Sequence, residues 1–301
     1  MPELPEVETT TRVLRKTVVG ITIKSVWSNY PQKESSRKNE IKDLSFFNIF
    51  KKEVTGKKIE KIERRGKNIL IHLSGDLIIL AHMKMTGHFL YGKYKELEET
   101  WVPVDSSLPI ANPFSRHIRF IMEFKDGTHL ALSDMRKFAK ITFIKKEDLE
   151  ESLHIKPLGP EVLDKKFTEN IFKESLKKKP NFPIKTALLD QTVFTGVGNI
   201  YGDELLWLSS VRPDRIVSSI TEKEFRLMYK NLRPLLERGI SFKGDSTSDY
   251  RQIDGTKGNF QSEHNAYRRT GLSCKKTGCS GVIIREVIRG RSSHYCSKHQ
   301  K

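Results

Sequence analysis

Cysteine is scarce in this chain: 3 in 301 residues, all of them within the last thirty. Cysteines this few and this clustered exclude a disulfide framework and point to an intracellular protein with one local metal site. Long apolar runs are also missing. No stretch approaches the roughly 20 residues that a membrane helix requires. The opening MPELPEVETTTRVLRK has no basic segment followed by an apolar core, so neither a signal peptide nor a membrane anchor is expected. Acidic residues are outnumbered, 37 against 54 Lys and Arg, which gives a net charge of +17 and a pI near 9.7. That balance favours a polyanionic partner, and a merely solvated basic surface is the plainer alternative.

What is present suffices for two packed domains, or one and a smaller module. The first residues read as a helix start: Pro2 or Pro5 suits a first turn, and Glu3, Glu6 and Glu8 match the positive end of its dipole. Val7, Leu14 and Val18 are spaced for one buried stripe. After Gly20 come short alternating runs at 21–27, 59–64, 68–73, 77–82, 118–124, 129–133 and 139–144, separated by turn sequences. They predict an antiparallel sandwich or barrel ending near Lys146. The segment 154–164, HIKPLGPEVLD, reads as a hinge. Helical periodicity follows at 169–179, 184–189, 200–209 and 221–238, and the polar stretch 244–259 reads as a loop.

Cys274-x4-Cys279, sixteen residues, then Cys296-x2-His299 supplies four ligands in two close pairs, which suits one tetrahedral, structural zinc with a β-hairpin between the pairs. Residues 257–301 hold ten Lys and Arg against two acidic residues. A basic zinc hairpin of this kind often lies along a phosphate backbone, and Arg291, near its turn, is the candidate to reach it. A solvated surface arginine fits the same residue.

The blocks ELPEVET (3–9), RRGKNIL (64–70), HMKMTG (82–87), DMRKF (134–138), PLGPEVL (157–163), PIKTALLDQ (183–191), GVGNIYGDE (196–204) and YRRTG (267–271) then occur in one order along nearly the whole chain. Together with the zinc pattern they closely resemble the formamidopyrimidine-DNA glycosylases, of the wider family that includes the endonuclease VIII enzymes. The Leu4-Pro5 pair resembles the formamidopyrimidine branch. The resemblance implies an α+β multidomain fold: an N-terminal antiparallel β-sandwich with an N-terminal helix (1–148) and a hinge linker (149–165). A helical helix–two-turn–helix domain (166–262), which carries a lesion-capping loop (244–259), and a zinc finger (263–301) follow. It implies a bifunctional DNA glycosylase and AP lyase of base excision repair, acting on oxidised purines in damaged double-stranded DNA. The expected enzyme is a nucleoid-associated monomer that needs zinc and no organic cofactor.

By the same resemblance Pro2 is the nucleophile. With the initiator methionine removed, its secondary amine titrates near pH 8, and the helix dipole favours the neutral form. Attack on the sugar expels the base and leaves an iminium, which acidifies the neighbouring proton so that the phosphates can be eliminated. The resemblance makes Glu3 the general acid/base, with Glu6 assisting, Lys67 active in β-elimination and Arg291 in δ-elimination. It makes Met85, Arg136 and Phe138 the fillers of the gap left by an extruded nucleotide. His82, Lys137, Lys185 and Asn199 fall at phosphate-contacting positions. Unaided, Met85 and Phe138 would read equally well as core, Lys67 as a solvated strand-edge lysine and Asn199 as a helix cap.

The chain also departs from the family pattern. Phe114-Ser-Arg-His117 stands where Lys-His-x-His is usual, so Ser115 replaces a histidine. Asp134-Met-Arg-Lys-Phe138 lacks a proline and has Lys137 for arginine. Asn181 occupies a basic position, the loop Gly244–Tyr250 is shortened, and His299 is a zinc ligand where Cys is usual. The loop change bears on 8-oxoguanine preference. Two rivals account for part of this: a silent lesion-binding protein, which would need loss of Pro2, Glu3 or Lys67, and a zinc-hairpin nucleic-acid regulator, which leaves the N-terminal half unexplained.

Overall fold

Helix α1 (Leu4–Thr17) has Glu6 in its first turn and Arg15 and Lys16 in its last, each matching the dipole. Val7, Leu14 and Val18 form the buried stripe expected of them. The computed structural model describes residues 1–33, 38–98 and 100–301. Its contacts separate the chain into a first unit (1–2, 6–156 and 242–259) and a second (3–5, 157–241 and 260–301).

In the first unit the strands are β1 (Ile23–Ser28), β2 (Ile59–Arg65), β3 (Asn68–Leu73), β4 (Leu77–His82), β5 (His88–Gly92), β6 (Tyr94–Leu97), β7 (Thr100–Pro103), β8 (Ile118–Phe124), β9 (His129–Ser133) and β10 (Lys140–Lys145). Two four-stranded antiparallel sheets, ordered β1-β8-β9-β5 and β10-β4-β3-β2, share one apolar core. Val26, Phe120 and Leu132 enter it from one sheet, and Ile62, Ile71, Ile79 and Ile141 from the other. This is the expected sandwich, since alternate residues of each strand face one interior.

Elements that the alternation did not reveal complete it. Helix α2 (Leu44–Val54) buries Phe47, Phe50 and Val54, and the Asp43 side chain caps it by accepting from Phe46 N at 2.9 Å. β5 pairs with β9, and β6 with β7. The segment 242–259, placed with the helices in the sequence reading, clusters with the sandwich. Tyr91 N donates to Ile253 O at 2.8 Å, and Ile253 is part of the sandwich core.

The second unit holds α3 (Glu169–Lys177), α4 (Ile184–Leu189), α5 (Asn199–Ser209), α6 (Glu222–Ser241), and the hairpin β11 (Ile283–Ile288) and β12 (Arg291–Cys296). α6 opens with a reciprocal cap: Thr221 N donates to Glu224 Oε2 at 2.8 Å, and Glu224 N to Thr221 Oγ1 at 3.3 Å. Trp207, Ala266, Cys274, Ile283 and Cys296 form a small core around the hairpin. No helix among the described residues is long and apolar enough to cross a membrane.

Candidate functional site

The glycine-rich turn before α5 decides where Glu3 goes. Gly198 occupies the N-cap position and has no side chain to cap with, so the first amides of α5 are open to another acceptor. Glu3 fills that role: Ile200 N donates to its Oε1 at 2.9 Å and Tyr201 N to its Oε2 at 3.3 Å. A Cβ at Gly198 would stand 2.3–2.6 Å from this carboxylate, so only glycine allows the approach. Glu3 is 1% exposed, an anion at the positive end of a helix. Asn199 does not cap the helix, and its Oδ1 has no hydrogen-bond partner among the described residues.

In the first unit, Pro2 is buried and Met1 is exposed. Glu6 is also buried, and the segment after Gly244 wraps it. Asp245 N donates to Glu6 Oε1 at 2.8 Å and the Tyr250 hydroxyl to Glu6 O at 3.3 Å. Gly244 has φ +84°, and a Cβ there would lie 2.8 Å from Glu6 Cγ.

Lys67 follows the β2–β3 turn at Gly66, whose φ is +59°. At 6% exposure it is an interior lysine, not a solvated one. The turn is tied to α1 through Arg64, which donates from Nη1 to Gly66 O at 2.8 Å and from Nε to Glu8 Oε2 at 2.8 Å. Burial opposes ionisation of Glu8, but hydrogen bonds and charge from Arg12 and Arg64 outweigh it and hold its pKa below the usual value.

Met85, Arg136, Lys137 and Phe138 are exposed, which removes core packing as an account of Met85 and Phe138. The loops that carry them meet at Asp134, which is fully buried. Its carboxylate accepts from Tyr30 Oη at 2.8 Å, Thr86 Oγ1 at 2.5 Å and Ala139 N at 2.7 Å. Thr86 Oγ1 in turn accepts from Arg136 N at 3.1 Å. The Arg136 guanidinium lies 4.5 Å from the Phe138 ring centre, so the two form one stacked tip. His82 Nδ1 accepts from Lys84 N at 2.9 Å, which leaves Nε2 to carry the proton. Burial, reinforced by Lys84, Lys67 and Lys140, pushes the His82 pKa down to about 3, so the ring is a neutral donor.

Lys185 and Arg291 lie together in the second unit. Both line a cavity of about 240 Å³ with Thr186, Leu189, Asp190 and Arg289. Arg291 is exposed, whereas Lys185 is 1% exposed. Its ammonium donates to Asp203 Oδ1 at 2.5 Å and Ser292 O at 2.8 Å. Asp203 Oδ2 accepts from His294 N at 3.0 Å and lies 2.9 Å from His294 Nδ1, so one carboxylate joins α4, α5 and β12.

Cys274, Cys279, Cys296 and His299 bring four donor atoms within 4.8 Å of one another. The Sγ atoms of Cys279 and Cys296 are 3.6 Å apart, and Cys274 Sγ is 3.3 Å from His299 Nδ1. Ordinary zinc bond lengths give tetrahedral edges of about 3.8 Å for S–S and about 3.5 Å for S–N, so the four fit that ion. Amides of Lys276, Gly281 and Lys298 point at the three sulfurs, and His299 Nε2 lies 3.1 Å from Trp207 O, leaving Nδ1 for a metal.

Asp134, Asp203 and Glu204 escaped the sequence reading, and Glu8 entered it only as a carboxylate matching the helix dipole. The only trace was their position inside recognised blocks, because sequence shows residue type and not burial.

Two family models match the chain. The formamidopyrimidine-DNA glycosylase N-terminal domain matches residues 1–141, and the formamidopyrimidine-DNA glycosylase H2TH domain matches residues 158–251. The formamidopyrimidine-DNA glycosylase of Heliobacterium modesticaldum is 35% identical, with both chains covered in full, and that of Bacillus cereus (strain ATCC 14579) is 36% identical over 98% of each. The Lactococcus lactis Fpg in complex with abasic-site DNA superposes with a TM-score of 0.84 at 31% identity, both chains again covered in full. A mutant of that protein with Fapy-dG-containing DNA gives the same values. With both domain models and full-length relatives in agreement, the chain belongs to the formamidopyrimidine-DNA glycosylase family.

Proposed function

We propose that this protein is a bifunctional DNA glycosylase and AP lyase that excises oxidised purines from double-stranded DNA and cuts the strand by β,δ-elimination. The observation that carries the reading is the carboxylate of Glu3, buried and fixed by two α5 amides one residue from Pro2. Removal of the exposed Met1 converts the Pro2 nitrogen from an amide to a secondary amine. That amine attacks C1′ of the damaged nucleotide, the C1′–N bond breaks, and the base leaves with a proton. The Glu3 carboxylate takes the proton that the amine sheds on bonding to C1′ and passes it to the sugar ring oxygen, so that the ring opens to an iminium on Pro2, while the leaving base draws its proton from water.

The iminium acidifies C2′. Loss of that proton expels the 3′ phosphate, and a second elimination expels the 5′ phosphate. Glu6 assists the same step, Lys67 serves the first elimination and a flanking phosphate, and Arg291 serves the second. Met85, Arg136 and Phe138 fill the space of the extruded nucleotide, a role suited to exposed side chains on loops anchored by a buried aspartate. His82, Lys137, Lys185 and Asn199 hold phosphates; Lys185 does so while keeping its Asp203 partner. Cys274, Cys279, Cys296 and His299 hold one zinc, which fixes the hairpin that presents Arg291. Such an enzyme works inside the cell on genomic DNA.

Borohydride trapping tests the reading. Mature protein is expected to become covalently attached to DNA carrying an abasic site or an oxidised purine, and Pro2→Gly to lose most base excision. Normal trapping by protein with a blocked N-terminus would overturn the mechanism.

A further inference from the structure

Arg251 is the largest fully buried side chain among the described residues, at 1% exposure. Among the described residues no carboxylate hydrogen-bonds it, although the charge of Asp249 acts on it. Its Nη1 donates to Ser248 O at 2.8 Å and Tyr250 O at 2.7 Å, and its Nε has no hydrogen-bond partner among the described residues. The guanidinium instead lies 4.2 Å from the ring centre of Phe114. A cation withdrawn from water and matched mainly to backbone oxygens and an aromatic face needs that geometry kept. Phe114 is itself held: its amide donates to Asn112 Oδ1 at 3.0 Å, and its carbonyl accepts from Ser133 Oγ at 3.2 Å.

Arg251 sits where two parts of the segment 244–259 meet. On its C-terminal side the chain is docked on the sandwich. Tyr91 N donates to Ile253 O, and a Cβ at Gly255 would stand 2.3 Å from the backbone of Pro109 and Ile110. On its N-terminal side lies the loop whose Asp245 amide and Tyr250 hydroxyl bind Glu6. The two carbonyls that Arg251 binds belong to that loop. Both members of the stack fall in segments whose sequence departs from the family pattern, Phe114 in place of a lysine and Arg251 directly after Gly244–Tyr250.

We propose that Arg251, stacked on Phe114, is a positioning residue that sets the loop 244–250 against Glu6 and so governs how a damaged base is accepted for excision. The proposal rests on the glycosylase reading above and deepens it. Elimination at an existing abasic site has no base to accept, so the two activities respond differently to the stack.

The test measures single-turnover base excision on duplex carrying an oxidised purine, and strand cutting at an abasic site, in parallel. Arg251→Met keeps an unbranched stem of nearer reach without charge, and Phe114→Leu keeps apolar bulk without the ring face. Each is expected to slow base excision about ten-fold, chiefly in the rate constant at saturating enzyme, and to change abasic-site cutting less than two-fold. Amide exchange in 244–250 should quicken, and Arg251→Lys, which keeps a cation over the ring, should recover much of the excision rate. Equal losses of excision and cutting, or wild-type excision by Phe114→Leu, would overturn the proposal. Failure of the unsubstituted protein to trap on abasic DNA would instead sink the glycosylase reading.

Discussion

Between the two sheets of the first unit the interior is aliphatic and aromatic, and the buried Asp134 and Glu6 of that unit lie outside its strands. Phe50, Phe120, Phe124, Leu14 and Ile69 are all at or below 1% exposure and belong to one cluster or its immediate neighbours. The second unit has apolar packing too, but two adjacent carboxylates on α5, Asp203 and Glu204, are as inaccessible as those aromatics. Asp203 joins Lys185 to β12. Glu204 accepts four N–H groups, from Asn265 N and Nδ2, Ala266 N and Tyr267 N, at 2.8–3.1 Å. Apolar contacts tolerate many arrangements, whereas a buried carboxylate tolerates only the one that satisfies it. The sandwich is accordingly stabilised by area, and the helical unit is held in register by charge.

Metal removal breaks this contrast most sharply. Chelation, or Cys296→Ala, should abolish order in 274–299 and with it DNA binding, while the sheet signal of the sandwich persists. Loss of the sandwich together with the hairpin would show that the units do not differ in this way. Next is Asp203→Ala, which strands Lys185 as a buried unpaired charge and should cost about 3–5 kcal/mol in denaturant unfolding. The pair Asp203→Leu with Lys185→Met should recover most of that loss. Phe50→Ala costs a similar amount, about 3–5 kcal/mol, but combined with a distant core truncation it should simply add. A double substitution at 203 and 185 no better than the single one would remove the charge argument.

Acid sharpens the comparison from the other side. Burial pushes the His88 pKa down to about 4, opposed by the Thr86 carbonyl, and its Nε2 has no hydrogen-bond partner among the described residues. The unfolded chain therefore takes up this proton first. Stability from this residue is complete above about pH 6.5 and falls as the pH drops toward 4, by about 3 kcal/mol over that window. His88→Phe should flatten this limb of the melting profile, and an unchanged limb would exclude His88 as its source. The smallest effect belongs to Arg12, whose side chain is 55% exposed. Arg12→Ala should cost below about 1 kcal/mol, less than Arg64→Ala, whose side chain on the same glutamate is 7% exposed.

Periodicity made the sandwich legible because each long strand has one wet and one dry side. It failed at β5, whose His88, Phe89 and Leu90 are all buried, and at α2, whose Asp43 cap and Phe47, Phe50, Val54 spacing were there to be read. The grouping of Cys274, Cys279, Cys296 and His299 was legible from spacing alone. Pro2, Glu3 and Lys67 became candidates only through the resemblance, since a helix start rich in glutamate is common. Arg251 stayed hidden because it stands among polar loop residues, where an arginine is ordinarily solvated and only coordinates reveal that it is not.

The bonds from α5 to Glu3 also set an order of events. Glu3 and its donor Ile200 are separated by 197 positions, so these two bonds form only after α5 has been synthesised. Closing so large a loop is late and slow relative to the hairpins of the sandwich. A nascent or prematurely terminated chain that stops before α5 thus carries Glu3 without the two amides that fix it. The fixed geometry at Glu3 is withheld until the helical unit has folded.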